Sequence, residues 1–393
     1  MYPRRTKIIC FTLEGINSFA ATFYLYYLFW LMQREHGFTN RGNLFLTAVH
    51  GCVYMFASWL GGRLIHRLGY FKALRLGFGG MAFALLIAWG TPGVGGQIIG
   101  LVLWTVPLCL TWPTLEALVT EGEDFRGTAG MVGLYNVVWS VMSALAFCSG
   151  GWLFEKLGHN GFYLLPLALV VTQFTLTFGL QSELHRLAET KPPAPPEPPH
   201  KPTVDAVRPA VSPLRFRQMA WLANPFAYVA INTLGAVIPQ LAARFELTPA
   251  QSGVFCSLWF YVRLGAFVLL WRWAGWHYRF RWLLAAFVGL IFSFAALLLA
   301  PQFWVVIAAQ VIFGLAVGLI YYSSLFYSMD ASDTKGEHGG LHEAAIGLGI
   351  CAGPALGATA LTFFPQSPDS GARAVTALLV CGLGGLVWLR GRK

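Results

Sequence analysis

Charge is the scarcest thing in this chain. Only 11% of its 393 residues are Asp, Glu, Lys or Arg, and 17 of them are acidic. Soluble domains carry roughly 25%. So few charges cannot cover a water-soluble fold of this length, which excludes the soluble globular class. Paired cysteines are also missing. The seven cysteines, Cys10, Cys52, Cys109, Cys148, Cys256, Cys351 and Cys381, stand singly in apolar runs with no CxxC. That spacing indicates neither a zinc site nor a disulfide framework. GxSxG, HExxH, Walker A and Asp-rich metal motifs are absent as well. No enzyme constellation is present, no cofactor or metal is implied, and without an ATP-binding loop any transport must run on a gradient.

Apolar residues fill the space. They make up 56% of the chain, and the mean hydropathy is +0.59. Stretches of roughly 20 apolar residues are long enough to cross a bilayer as helices. The sequence divides into twelve: 8–32, 43–65, 73–91, 96–119, 128–153, 161–181, 216–243, 250–271, 282–300, 302–328, 340–363 and 372–389. The run from Ile8 to Met32 exceeds the length of a signal-peptide core and is expected to be a first transmembrane helix. The expected fold class is an all-α membrane protein.

Between the sixth and seventh spans lies 183–214, with "KPPAPPEPPHKPTVDAVRP". A Pro-rich polar segment of this kind packs no core and reads as a solvated linker. It separates an N-terminal six-helix bundle, 1–182, from a C-terminal one, 215–393. Aligning Asn136 with Glu343 places Tyr135 on His342 and Gly150 on Gly357, consistent with two related halves. Among the 27 Lys and Arg residues, Arg34, Arg41, Lys156, Arg244 and Arg373 fall on one side of the spans and Arg263 inside one. All the others fall on the side of the termini and linker. The positive-inside rule then expects both termini in the cytoplasm, in a bacterial inner membrane. The formal net charge of +10 reads as topology plus attraction to the lipid bilayer, and no nucleic acid is expected as a partner.

The turn after the second span reads "GGRLIHRLGYFK". Together with twelve spans and a central linker it resembles the major facilitator superfamily, whose loop signature is G-x-L-x-D-R-x-G-x-R-R. Gly62, Leu64, Arg67, Gly69 and Lys72 match that signature. His66 stands where the signature has an acid, and Phe71 where it has a basic residue. The resemblance implies two pseudo-symmetric six-helix bundles with helices one, four, seven and ten lining a cavity. It also implies that this turn latches the halves on the cytoplasmic side, so His66 puts the usual carboxylate latch in doubt. "GPALG" at 353–357 is similar to the antiporter signature but sits in span eleven instead of span five, and that assignment is not carried over.

Charged groups inside spans are costly to hold there and so mark candidate sites. Arg263 lies about nine residues, roughly 13 Å of helix, from the nearer end of span eight. It either meets an anionic substrate in a wet cavity or pairs with a buried acid. Glu14 shares one helix face with Asn17, Ser18 and Thr22, and is a candidate proton carrier or an interfacial acid. His342 and Glu343 open span eleven, four residues after His338, and are candidates for proton handling or a gate. Their plain alternative is an acid at a helix start. Glu116 is a gate partner or interfacial, and His50 reads as a packing residue. The polar and aromatic residues Trp112, Asn136, Tyr228, Asn232, Tyr321 and Tyr322 are candidate substrate contacts.

These features describe a secondary active transporter of a small organic solute, coupled to a proton and working by alternating access. A monomer is expected. Two other readings stay open: a lipid or amphiphile flippase on the same fold, and a non-transporting membrane sensor.

Overall fold

A computed structural model describes residues 4–123, 125–190, 212–330 and 337–391. Among these residues the regular structure is helical, without strands. Eleven helices are long and apolar enough to cross a membrane, and one of them, Gly130–Leu184, has 55 residues. That is about twice what a bilayer needs. It divides at Gly158, whose φ of 63° and ψ of −160° interrupt an otherwise continuous Phe125–Thr190. The count is therefore twelve.

The helices are α1 Arg4–His36, α2 Asn40–Leu68, α3 Tyr70–Gly90 and α4 Val94–Thr120. Two more, α5 at 125–157 and α6 at 159–190, flank Gly158. Then come α7 Pro213–Arg244 and α8, which runs Pro249–Cys256 and Leu258–Arg272 with a break at Ser257. The last four are α9 Phe280–Leu299, α10 Phe303–Asp330, α11 Glu337–Phe363 and α12 Ser370–Gly391.

Local chemistry sets the ends. Ser212 caps α7 by accepting from the Arg215 backbone N–H at 3.4 Å, with Pro213 next, where its missing N–H costs nothing. Thr248 and Gln251 form a reciprocal capping box at the start of α8. Helix α6 continues to Thr190, eight residues into the segment read as linker. "SELHRLAE" is good helix-forming sequence, and the prolines follow it. Of the rest of that segment, 191–211 lie outside the described residues and 212–214 cap and begin α7.

Within the first half α1 packs on α5, and α3 on α4 and on the 125–190 run. Within the second, α7 packs on α10, α11 and α12, and α9 on α10. The halves meet along two antiparallel seams. One is α2 against α11, so close that a Cβ on Gly51 would lie 2.3 Å from the Cys351 backbone N. The other is α5 against α8, where Phe147 stacks on Phe260 with centroids 5.0 Å apart. At the end of the bundle away from the termini this second seam is shut. The Ala250 N–H donates to Glu155 Oε1 at 2.9 Å, and a Cβ on Gly151 would lie 1.9 Å from the Pro249 carbonyl O. At the same end Arg244 donates to the Leu298 and Ala300 carbonyls at the end of α9, at 2.6 and 3.1 Å.

Candidate functional site

Three carboxylates and one guanidinium lie inside the spans, carried by four different helices. Glu14, on α1, is fully buried. Its Oε1 accepts from Ser18 one turn away at 2.7 Å, and its Oε2 from the Tyr135 hydroxyl of α5 at 2.9 Å. Asn17, one turn from Glu14 on the same face, donates to Thr111 of α4 at 3.1 Å, and its buried Oδ1 has no partner. Thr22 donates to Ser143 of α5 at 3.0 Å. The polar stripe of α1 thus faces its own half, toward α4 and α5.

Glu343, on α11, is bound across the seam. Tyr54 of α2 donates its hydroxyl to Oε2 at 2.5 Å. Glu116, on α4, is half-buried and lies within Coulombic range of both Glu14 and Glu343. The three acids therefore form one electrostatic group drawn from both halves. His342, beside Glu343, lies with Nδ1 3.5 Å from Ser324 Oγ of α10, and its buried Nε2 has no partner. The side chain of His338 lies outside the described residues.

Arg263, on α8, stands apart from the acids. It is 6% exposed, and its Nε and Nη2 have no hydrogen-bond partner. Its guanidinium carbon sits 4.6 Å from the ring centre of Trp139 on α5, and 5.0 Å from those of Trp259 and Phe260. Cation–π contacts contribute about 0.5–2 kcal/mol each, which offsets only part of the cost of burying the charge. The buried acid expected as one alternative partner is not there: no carboxylate among the described residues lies within 4.0 Å. Tyr26 and Tyr321 join the same aromatic cluster, with rings 5.7 Å from Phe260 and 5.6 Å from Trp139.

Tyr228 and Tyr321 link the two poles. Both are half-buried, with rings 6.5 Å apart, and Tyr321 is within range of Arg263, Glu116 and Glu343 alike. Trp112 is half-buried nearby, its carbonyl 3.3 Å from the Tyr135 hydroxyl.

Other candidates fall elsewhere. The Asn136 amide is engaged at both ends, donating to the Val132 carbonyl at 2.9 Å and accepting from Trp139 Nε1 at 2.8 Å. It orients the indole beside Arg263 and is itself buried, 1% exposed. Tyr322 faces Trp276 and Phe267, at 5.9 and 6.0 Å, at the terminus-bearing end. Asn232 lines a cavity of about 50 Å³ with Tyr26, Thr47 and His50. There His50 Nδ1 lies 2.8 Å from Thr105 Oγ1. Thr105 also donates to the Leu101 carbonyl at 2.7 Å. In the α2–α3 turn Gly69 takes φ 77°, a conformation only glycine adopts easily. Gly62 is half-buried there, and Leu64, His66, Arg67 and Lys72 are exposed.

Tyr26, Tyr54, Trp259 and Phe260 were not singled out from sequence. Tyr54 had a signal: it follows His50 by one helical turn and so extends the polar face of α2.

A family model described as Major Facilitator Superfamily matches residues 10–354, most of the chain. The chain belongs to the Major Facilitator Superfamily. Solved transporters of that shape superpose over nearly the whole length. The nucleoside transporter NupG aligns at a TM-score of 0.70 and 12% identity, covering 99% of this chain and 100% of that one. A peptide transporter POT mutant in complex with alafosfalin aligns at 0.73 and 15%, covering 99% and 94%. The human organic anion transporter MFSD10 (TETRAN) aligns at 0.69 and 14%, covering 99% and 100%. Identities this low carry the fold and not the solute. No curated protein matches the sequence. In this superfamily member Glu343 lies on the α2–α11 seam and Arg263 on the α5–α8 seam.

Proposed function

We propose that this protein is a secondary active transporter that moves a small organic solute by alternating access, driven by a proton. The observation that carries the proposal is Glu343 bound to Tyr54 across the seam, within Coulombic range of Glu116 and beside His342. An ionised Glu343 accepts the Tyr54 hydroxyl and ties α2 to α11. Protonation replaces a charge-assisted bond with a weaker neutral one and loosens that tie. Proton occupancy is thereby linked to the contact that must change when the halves rock against each other. Glu14, held within one half by Ser18 and Tyr135, and Glu116, half-buried between Glu14 and Glu343, are further stations for the proton.

The protein works as a monomer of two six-helix bundles joined by the Pro-rich linker. It lies in a bacterial cytoplasmic membrane with both termini in the cytoplasm, the side that carries most of the Lys and Arg.

The test is solute accumulation by proteoliposomes under an imposed proton gradient, with mass-spectrometric readout of a metabolite mixture. Wild type accumulates its solute and loses accumulation when a protonophore is added. Glu343→Gln loses gradient-driven accumulation at least tenfold and retains solute exchange. Accumulation indifferent to the protonophore removes proton coupling.

A further inference from the structure

Arg263 is a cation without an anion. The rings of Trp139, Trp259 and Phe260 lie 4.6, 5.0 and 5.0 Å from its guanidinium carbon. Ring faces attract the charge but accept no directed N–H bonds, so Nε and Nη2 are left without acceptors in a side chain 94% buried. Glu14 is held by Ser18 and Tyr135 and Glu343 by Tyr54. Glu116 forms no ion pair with Arg263 in this structure. Three phenols belong to the same aromatic cluster: the ring of Tyr26 lies 5.7 Å from Phe260, that of Tyr321 5.6 Å from Trp139, and that of Tyr228 6.5 Å from Tyr321. Phenols are hydrogen-bond donors and not counter-charges.

We propose that Arg263 is the anion subsite of the transport site and that the solute is an organic monocarboxylate. The inference rests on the transporter reading above and adds the class of solute. A carboxylate matches the planar N–H edge of a guanidinium with two parallel bonds. The hydroxyls of Tyr228 and Tyr321, both half-buried with rings 6.5 Å apart, supply further donors to the same anion. The charge of the ligand follows from the charge of the pocket. One guanidinium neutralises one negative charge, and a dianion such as phosphate or sulfate would keep an uncompensated charge among aromatic rings. The rings of Trp139, Phe260 and Tyr321 around the cation suit an apolar or aromatic body behind the carboxylate. Asn136 is a positioning residue here, because its Oδ1 accepts from Trp139 Nε1 and sets the indole beside which the guanidinium lies.

The experiment measures binding to purified full-length protein with matched pairs that differ only in charge: acetate and acetamide, phenylacetate and phenylacetamide, indole-3-acetate and indole-3-acetamide. Sulfate and phosphate serve as dianion controls. In wild type at least one carboxylate binds ten-fold or more tighter than its amide, and neither dianion competes. In Arg263→Gln the ratio falls to about one. In Arg263→Lys part of the preference returns, because the charge is kept and the fork is lost. Monodisperse elution and an unchanged helical circular dichroism spectrum establish that each variant is folded. The proposal is overturned if no carboxylate binds better than its amide in wild type, if folded Arg263→Gln keeps the ratio, or if a dianion binds best. Proteoliposome accumulation separates this from the transporter reading. Proton-driven uptake of a neutral or cationic solute leaves the transporter reading standing and sinks the monocarboxylate site. Arg263-dependent carboxylate binding with no transport does the reverse.

Discussion

Gly151→Ala tests whether the end of the bundle away from the termini is a closed gate between the halves. A Cβ at residue 151 would lie 1.9 Å from the Pro249 carbonyl O, 2.4 Å from its carbonyl C and 2.8 Å from the Ala250 N. Ordinary contact begins at 3.4 Å, so α5 and α8 must separate there by roughly 1.5 Å. The obstacle is backbone, which cannot rotate aside as a side chain can. Overpacking of this kind costs about 1–3 kcal/mol. The bond from the Ala250 N–H to Glu155 is strained by the same displacement. If the halves open at this end during the transport cycle, the open state relieves the clash. A bias of about 1–3 kcal/mol then shifts the closed-to-open ratio by roughly 5- to 150-fold. The assay is pulsed electron–electron distance measurement between spin labels at Lys156→Cys and Val254→Cys in a background free of native cysteines. Wild type gives mainly a short distance, and Gly151→Ala moves population to a longer one. A folded variant with an unchanged distribution but a lowered melting temperature would refute the reasoning, because the clash would then be absorbed without opening.

Three further outcomes follow from the same geometry. Tyr135→Phe removes a hydroxyl from fully buried Glu14 and should cost about 1–3 kcal/mol, read as a lower thermal midpoint. Cys52 and Cys351 lie at the closest approach of the α2–α11 seam, where a Cβ on Gly51 would sit 2.3 Å from the Cys351 backbone N. Copper phenanthroline should therefore oxidise them to an intramolecular disulfide, visible by peptide mass spectrometry, and the cross-linked protein should lose transport. His66 is exposed at the end of α2. His66→Asp should change stability by no more than about 0.5 kcal/mol, yet move the pH profile of transport if this turn acts as the superfamily latch; an unchanged profile makes it a tolerated surface residue.

The twelve spans were legible because bilayer thickness imposes a length that apolar runs report directly. The ends were harder to read. Continuation of α6 to Thr190 depends on amphipathic residues that hydropathy alone treats as linker. The site was half legible. Charge inside an apolar span drew attention to Arg263, Glu14, Glu116 and Glu343, because such groups are expensive wherever they point. Their partners were not legible, because partnership is set by packing between distant helices. Nothing near Arg263 in sequence says that Trp139, more than a hundred residues earlier, lies beside its guanidinium. Likewise the place of Asn136 in α5 did not reveal that its amide bonds Val132 and Trp139 of its own helix. Tyr322 looked equivalent to Tyr321, yet one step of about 100° around α10 turns it toward Trp276.

The most direct test of the account is accumulation in proteoliposomes holding the full-length protein, with a proton gradient imposed and then collapsed. The account predicts solute accumulation above that of protein-free vesicles, abolished by protonophore and reduced at least tenfold by Glu343→Gln. Accumulation no greater than in protein-free vesicles, from folded and correctly inserted protein, would contradict it.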